Sequence, residues 1–117
     1  MIRTKRLKTL IIDKKNNYNT YFEGFRKHKF TFNTEPSILN LSENELKETD
    51  VFFVVVYELK DIIQILKLGQ ICKSIIIGTV NKRLYNSLQS IQDYPIIDLT
   101  PSFHLKSKLH DALALFY

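Results

Sequence analysis

Residues 50–57, Asp-Val-Phe-Phe-Val-Val-Val-Tyr, decide the fold of this chain. Six consecutive apolar residues, four of them β-branched, predict a strand that is buried on both faces. Such a strand belongs in the middle of a parallel sheet that is covered by helices on both sides. In these sheets, ligands and chemistry are found at the carboxyl ends of the central strands. That end here offers Val55, Val56 and Tyr57, with no nucleophile or metal ligand before Glu58.

The bulk composition is that of one globular domain covering residues 1–117, with 44% hydrophobic residues. No apolar run approaches the roughly 20 residues that a membrane helix needs, and the basic N-terminus lacks the apolar stretch of a secretory signal. The single cysteine, Cys72, excludes an internal disulfide and suits a reducing compartment, so we expect a cytoplasmic protein. The net charge of +5 is compatible with an acidic partner or nucleic acid, but the surplus is mild and is typical of an ordinary solvated surface.

Four further strands are predicted around the central one, at residues 8–13, 29–34, 74–80 and 95–99. Helical spacing of apolar residues predicts helices between the strands. The first follows from Tyr18, Tyr21, Phe22 and Phe25, which recur at i, i+3, i+4 and i+7. The others are expected within residues 37–49, at residues 61–73, after residue 81 and from residue 100 onward.

Three of these helices carry start signals. Ser42 and Glu45 have the spacing of a capping box, and Asn81 is suited to cap the next-to-last helix. Pro101 suits the first turn of the last helix. Together the elements form five β–α units, which predict a doubly wound, three-layer α/β/α fold. We expect five parallel strands in the flavodoxin-like order 2-1-3-4-5 and about five helices.

The element order and the residues at the strand ends resemble the receiver domain of two-component response regulators (the CheY-like family), over essentially the whole chain. In that family an acidic pair after the first strand holds Mg²⁺, and an aspartate after the third strand accepts a phosphoryl group. A Thr or Ser after the fourth strand and a Lys after the fifth contact the phosphate. Carboxylates hold the cation, and the cation and the lysine neutralise the transferred charge.

Matching these positions one by one implies a site that has lost its chemistry. The matched residues are Asp13, Lys14, Val55, Thr79 and Pro101. Lys14 replaces the second acid and opposes binding of a divalent cation. Val55, or Val56 in the alternative register, replaces the phosphorylated aspartate. Pro101 replaces the lysine, within Leu-Thr-Pro-Ser-Phe at residues 99–103 where the family has Leu-Thr-Lys-Pro-Phe.

The remaining polar residues also have purely structural interpretations. Asp13 either is a remnant of a metal ligand or caps a loop and pairs with Lys14 or Lys15. Thr79 either gates a switch or closes a turn. If the central strand ran longer, Glu58 would approach the site and mimic a phosphorylated acid. The histidines are too dispersed to form a metal site. We therefore expect no catalytic residue, no metal and no cofactor.

The resemblance implies a pseudo-receiver that acts in signalling by binding another protein or a second copy of itself, and not a membrane. In ordinary receivers the fourth helix, fifth strand and fifth helix form the partner face. The residues expected on it are Lys82, Arg83, Asn86, Ser90, Asp98, Lys106 and His110. A further hypothesis is that the domain is the N-terminal regulatory part of a transcription regulator, with DNA bound by an output domain after Tyr117. The alternative is a small, basic, flavodoxin-like protein that binds nucleic acid or a nucleotide.

Overall fold

The computed structural model describes residues 6–69, 74–90, 94–100 and 104–115. At its centre is a five-stranded, all-parallel sheet in the order β2-β1-β3-β4-β5, so the predicted flavodoxin-like order is confirmed. The strands are β1 (Leu7–Ile12), β2 (Phe30–Glu35), β3 (Val51–Val56), β4 (Ile75–Thr79) and β5 (Ile96–Asp98).

Every residue of the central strand β3 is buried, as its composition predicts. Side chains alternate between the two faces of a strand, so β3 contributes to two separate hydrophobic clusters. Phe53 and Val55 lie in the cluster on one face of the sheet. Phe52, Val54 and Val56 lie in the cluster on the other face. Strand β3 therefore contributes side chains to the hydrophobic cores on both faces of the sheet.

The described residues contain four α-helices, one fewer than the sequence predicts. They are α1 (Glu43–Glu48), α2 (Ile62–Leu68), α3 (Lys82–Leu88) and α4 (Leu105–Ala114). Short 3₁₀ turns occur at Asn19–Phe22, Ile38–Asn40 and Leu59–Asp61. The predicted fourth and fifth helices correspond to α3 and α4.

The helix predicted from the aromatic spacing after β1 is wrong. Only the 3₁₀ turn Asn19–Phe22 forms there, followed by a series of turns up to β2. Gly24 and Arg26 have positive φ angles of 73° and 40°, which an α-helix does not allow. Tyr18 and Phe22 are nevertheless buried against the sheet, so their spacing reports burial of one face and not an α-helix.

The capping signals predicted at Ser42 and Asn81 are confirmed. The Ser42 side chain accepts from the amide of Glu45, whose side chain accepts from the amide of Ser42, and this capping box opens α1. The Asn81 side chain accepts from the first amides of α3.

The predicted start of the last helix at residue 100 is wrong, because α4 begins at Leu105 with His104 as its N-cap, and Pro101 lies outside the described residues. Helix α2 ends at Leu68 with Gly69 as its C-cap, and residues 70–73 of the predicted helix, including Cys72, lie outside the described residues.

The helices cover the sheet on both faces. The turn Asn19–Phe22 and helix α4 pack on the face that carries Phe53 and Val55. Residues of α1, α2 and α3 pack on the opposite face. The helices thus leave the carboxyl edge of the sheet as the place where the loops after β1, β3 and β4 meet. None of the helices in the described ranges is long and apolar enough to span a membrane.

Candidate functional site

The loops after β1 and β3 meet at the carboxyl edge of the sheet. Asp13 and Lys14 follow β1 directly, and Tyr57 and Glu58 follow β3, so the parallel register brings all four together. Thr79 ends the neighbouring strand β4. The structure therefore assembles four of the five residues matched to the receiver site near one edge, while the fifth, Pro101, lies outside the described residues.

Asp13 is 1% exposed, and both of its carboxylate oxygens are fully used. Oδ1 accepts hydrogen bonds from the amide of Lys15 (3.1 Å) and from the hydroxyl of Tyr57. Oδ2 accepts from the amides of Asn17 (2.7 Å) and Tyr18 (3.1 Å). A carboxylate has about four acceptor positions, and here all of them are occupied. Asp13 holds the loop after β1 and has no lone pair left for a cation.

Tyr57 is the first residue of the loop after β3, and its hydroxyl occupies one acceptor position of the Asp13 carboxylate. Its hydroxyl donates to Asp13 and lies 3.4 Å from the side-chain amide nitrogen of Asn17. Burial, followed by the hydrogen bond to Asp13, raises the pKa of Tyr57 well above its ordinary value, so the phenol remains protonated. The Lys15 ammonium lies 4.8 Å from the centre of the Tyr57 ring, within cation–π distance.

Lys14 makes two ion pairs with carboxylates that follow β3. Its Nζ contacts Glu58 and lies 3.1 Å from Oδ1 of Asp61. The hydrogen bond with Glu58 is the main cause that raises the pKa of Lys14 and lowers the pKa of Glu58. Lys14 therefore stays charged. A divalent cation at this position would compete with a permanent positive charge.

Asp61 organises the turn that carries Tyr57 and Glu58. Its Oδ2 accepts from the amides of Tyr57 (2.9 Å) and Glu58 (3.1 Å), while its Oδ1 faces Lys14. The side chain of Asp61 is only 7% exposed. Sequence reasoning missed this residue as part of the site. The available signal was the three-residue spacing between Glu58 and Asp61, which is that of a capping box.

Neither valine at the phosphoacceptor position offers a reactive group. Val55 is 2% exposed and points into the cluster shared with α4, and Val56 points into the opposite cluster. Strand β3 ends at Val56, so Glu58 does not extend it. Glu58 reaches the site instead as a half-exposed partner of Lys14.

Thr79 is completely buried, and its hydroxyl is engaged on both sides. It donates to the carbonyl oxygen of Val56 (2.8 Å) and accepts from the amide of Asn81 (3.2 Å). The first bond ties the ends of β3 and β4 together, and the second shapes the start of α3. These contacts correspond to the turn-closing interpretation of Thr79.

On the face expected to bind partners, two side chains, those of Asp98 and His110, already make contacts within the chain. Exposed side chains on it are Lys82, Arg83, Asn86, Ser90 and Lys106. Asp98 pairs with Lys82 (3.2 Å) and accepts from the amide and hydroxyl of Thr100, and the Thr100 hydroxyl is the main cause that lowers the pKa of Asp98.

His110, the remaining member of that face, is turned toward the segment after β1. Its ring stacks on Phe25, with ring centres 3.9 Å apart. Its Nε2 lies 3.0 Å from the carbonyl oxygen of Tyr21, so this nitrogen is the donor. His110 is half-buried and fixes α4 to the aromatic turns, which makes it a packing residue in this structure.

The described ranges hold no group of three or more His, Cys, Asp or Glu side chains arranged to bind a metal ion. The one carboxylate that the receiver resemblance assigns to a metal, Asp13, is saturated by protein donors, and Lys14 stands beside it. These residues do not fit a magnesium ion.

Comparison with family models, with curated proteins and with solved structures found no match to this chain.

Proposed function

We propose that this chain is a receiver-like domain that does not accept a phosphoryl group and that acts in signalling as a protein-interaction module. The observation that supports this function is the saturation of Asp13 by three amides and the Tyr57 hydroxyl. Protein is the partner class that we propose, and DNA would be reached only through an output domain outside residues 1–117.

Phosphoryl transfer depends on placing a nucleophile and a cation around the transferred group. The position of the nucleophile is occupied by buried Val55, and the position of the second metal ligand by Lys14. Asp13 would have to give up backbone hydrogen bonds before it could coordinate a cation. Each of these three features opposes the chemistry separately, so reversal of one leaves the others in place.

The test is incubation of the protein with Mg²⁺ and acetyl phosphate, and separately with Mg²⁺ and beryllofluoride. Intact mass and amide NMR spectra should remain unchanged, while an ordinary receiver domain in the same assay should acquire the phosphoryl group. A stable acyl phosphate on an aspartate, or beryllofluoride-induced shifts near Asp13, would overturn the proposal.

A second measurement separates an interaction module from the nucleic-acid alternative. The module should show no affinity for generic duplex DNA. Binding that weakens steeply as the salt concentration rises would instead indicate release of counterions by Lys and Arg contacts with phosphates. That result would favour the nucleic-acid binder.

A further inference from the structure

Four large apolar side chains remain exposed around one part of the surface. They are Leu39, Leu59, Ile63 and Leu66. Leu39 belongs to the 3₁₀ turn Ile38–Asn40, and the other three belong to the 3₁₀ turn Leu59–Asp61 and helix α2 that continues it. Clustered apolar exposure of this kind marks interaction surfaces more often than scattered exposure does.

Helix α2 has a second apolar face besides the one that it buries. Ile65 and Leu68 pack into the core below the helix. Leu59, Ile63 and Leu66 are spaced i, i+4 and i+7, which places them along one stripe of a helix. This stripe faces away from the sheet, because all three residues are exposed. A surface helix needs one apolar face to pack on its own core, so the second one has no role within the described domain.

A groove lies beside this stripe, between α2 and the turn Ile38–Asn40. It has a volume of 520 Å³, and Leu39 and Ile63 both line it. Its walls are held together by Gln64 of α2, whose side-chain oxygen accepts from the amide of Ile38 (3.0 Å). The groove is thus formed by the fold itself. Its apolar lining and the exposed stripe form one continuous feature through Ile63, and we call this feature the α2 groove.

The charge around the α2 groove is positive. Three lysines line it, namely Lys14, Lys60 and Lys67, together with one carboxylate, Asp61. Glu58, next to the groove, pairs with Lys14 and lies 3.7 Å from Lys60, so the surplus positive charge is that of Lys67. Asp61 is buried and already bonded to Lys14 and to two amides. Lys67 forms no ion pair within the described residues. An occupant with carboxylates beside apolar side chains would match this lining.

Resting on the proposed interaction function, we infer that the α2 groove is the partner site and that its occupant is an acidic, amphipathic helix of another protein. The apolar side of that helix covers Leu39 and Ile63, and a carboxylate beside it faces Lys67. In helix-in-groove recognition the bound helix supplies the apolar anchors, at i, i+3, i+4 and i+7, and the groove of this chain receives them. The partner surface then differs from the α3–β5–α4 face that the receiver resemblance implies.

Two other occupants fit less well. A second copy of the chain, related by two-fold symmetry, would bring the same lysines against each other. An anionic membrane also matches the charge, but membrane-bound helices insert one apolar helix face, whereas the apolar side chains here stand on two elements beside a groove, with Leu39 on the turn Ile38–Asn40 and Ile63 on α2. A concave apolar site accepts side chains from a partner element.

The test uses a designed helical peptide of about 20 residues, long enough to be stable as a helix, with leucines along one face and glutamates beside them. The matched probe has lysines in place of the glutamates. The glutamate peptide should bind at least roughly tenfold more tightly than the lysine peptide. Binding of the glutamate peptide should shift amide NMR signals of the protein mainly at residues 38–40 and 59–67. The binding should weaken as the salt concentration is raised.

Two pairs of variants locate the site. Leu59 and Leu115 are both 71% exposed, but Leu115 follows α4 and lies outside the α2 groove. L59S should weaken peptide binding by roughly tenfold, and L115S should leave it unchanged. K67E should likewise weaken binding, whereas K106E, on the α3–β5–α4 face, should not. All four positions are exposed, so the fold should be retained, as far-UV circular dichroism would show.

Each contrary outcome has a definite meaning. Equal binding of both peptides, no binding, or loss of binding in K106E but not in K67E would overturn the assignment of this site. Tighter binding to phosphatidylserine vesicles than to the peptide would indicate a membrane, and dimerisation abolished by L59S would indicate a second copy. None of these results bears on phosphorylation, so the acetyl phosphate assay still judges the proposed function independently.

Discussion

The hydroxyl of Tyr57 donates a hydrogen bond to the carboxylate of Asp13, 44 residues earlier in the chain. This bond joins the loop after β1 to the loop after β3 at the edge where a receiver-type site would lie. The phenol occupies acceptor capacity that a cation would otherwise use. Tyr57 is therefore both a structural link and the group that seals Asp13.

Replacement of Tyr57 by Phe removes this link and leaves the ring in place. We expect Y57F to lose about 1 to 3 kcal/mol of unfolding free energy, because a charged acceptor loses one donor in a nearly buried site. Urea titration followed by circular dichroism measures the change. An unchanged midpoint would show that water replaces the hydroxyl without cost.

The alkaline stability of the protein should also depend on Tyr57. Its pKa in the folded state is raised above the ordinary value of about 10, so both states are protonated below that pH. As the pH rises further, the unfolded chain releases its proton first, and stability falls. Urea unfolding measured from neutral pH to about pH 11 should show a shallower decline for Y57F. The raised pKa of Tyr18 acts in both proteins and so cancels in the comparison.

Replacement of Asp13 by Asn should cost more than the loss of the tyrosine bond. An amide group has one acceptor oxygen, so the donors that now share the second oxygen would face an NH₂ group. We expect D13N to lose roughly 3 kcal/mol, since hydrogen bonds to a charged, buried acceptor are the stronger ones. D111N, at an exposed position of α4, is the matched control and should be nearly neutral. Equal effects of the two variants would contradict the role assigned to Asp13.

Gly78 of β4 leaves room for Phe53. A Cβ at position 78 would lie 2.8 Å from Phe53 Cζ and 2.8 Å from Leu99 Cδ1. G78A should therefore destabilise the domain by about 1 to 3 kcal/mol through overpacking. In the double variant with F53L, the alanine should cost clearly less, and the coupling free energy from the four proteins measures this. Strict additivity would show that Phe53 is not the obstacle.

Restoring the missing aspartate should not restore phosphorylation. V55D would place a carboxylate in the apolar cluster beside α4, and we expect a loss of roughly 3 kcal/mol or more in stability, or failure to fold. V55A controls for the lost packing and should cost about 1 to 3 kcal/mol. If folded V55D acquired a phosphoryl group from acetyl phosphate, Asp13 and Lys14 would not be the barriers described above.

The sequence predicts the sheet well because local patterns determine it. The apolar run of β3 has a single physical solution, burial on both faces, and the caps at Ser42 and Asn81 depend only on residues nearby. The same local reasoning fails after β1. There the spacing of Tyr18 and Phe22 is equally compatible with an α-helix and with a 3₁₀ turn, and the positive φ of Arg26 has no sequence signal.

The site itself required knowledge of which loops meet. The sequence places Asp13 and Tyr57 at the ends of two different strands, but it does not indicate that their side chains form a hydrogen bond. The bond between their side chains depends on the register of β1 against β3 and on the side-chain conformations, which separate stretches of sequence do not specify. The pairing of Lys14 with Asp61 crosses 47 residues for the same reason.

The ion pairs of Lys14 also limit which residues are tolerated at position 14. An acid at position 14, which a receiver-type site needs, would stand beside Glu58 and Asp61 and repel both. This repulsion would follow from the substitution at position 14 alone. A receiver-type site would also require changes at Val55 and in the hydrogen bonds of Asp13. Replacement of Lys14 alone by an acid should therefore lower the stability of the domain. The ion pairs of Lys14 thus make residue 14 dependent on residues 58 and 61, so an acid at position 14 requires a compensating change in the loop after β3.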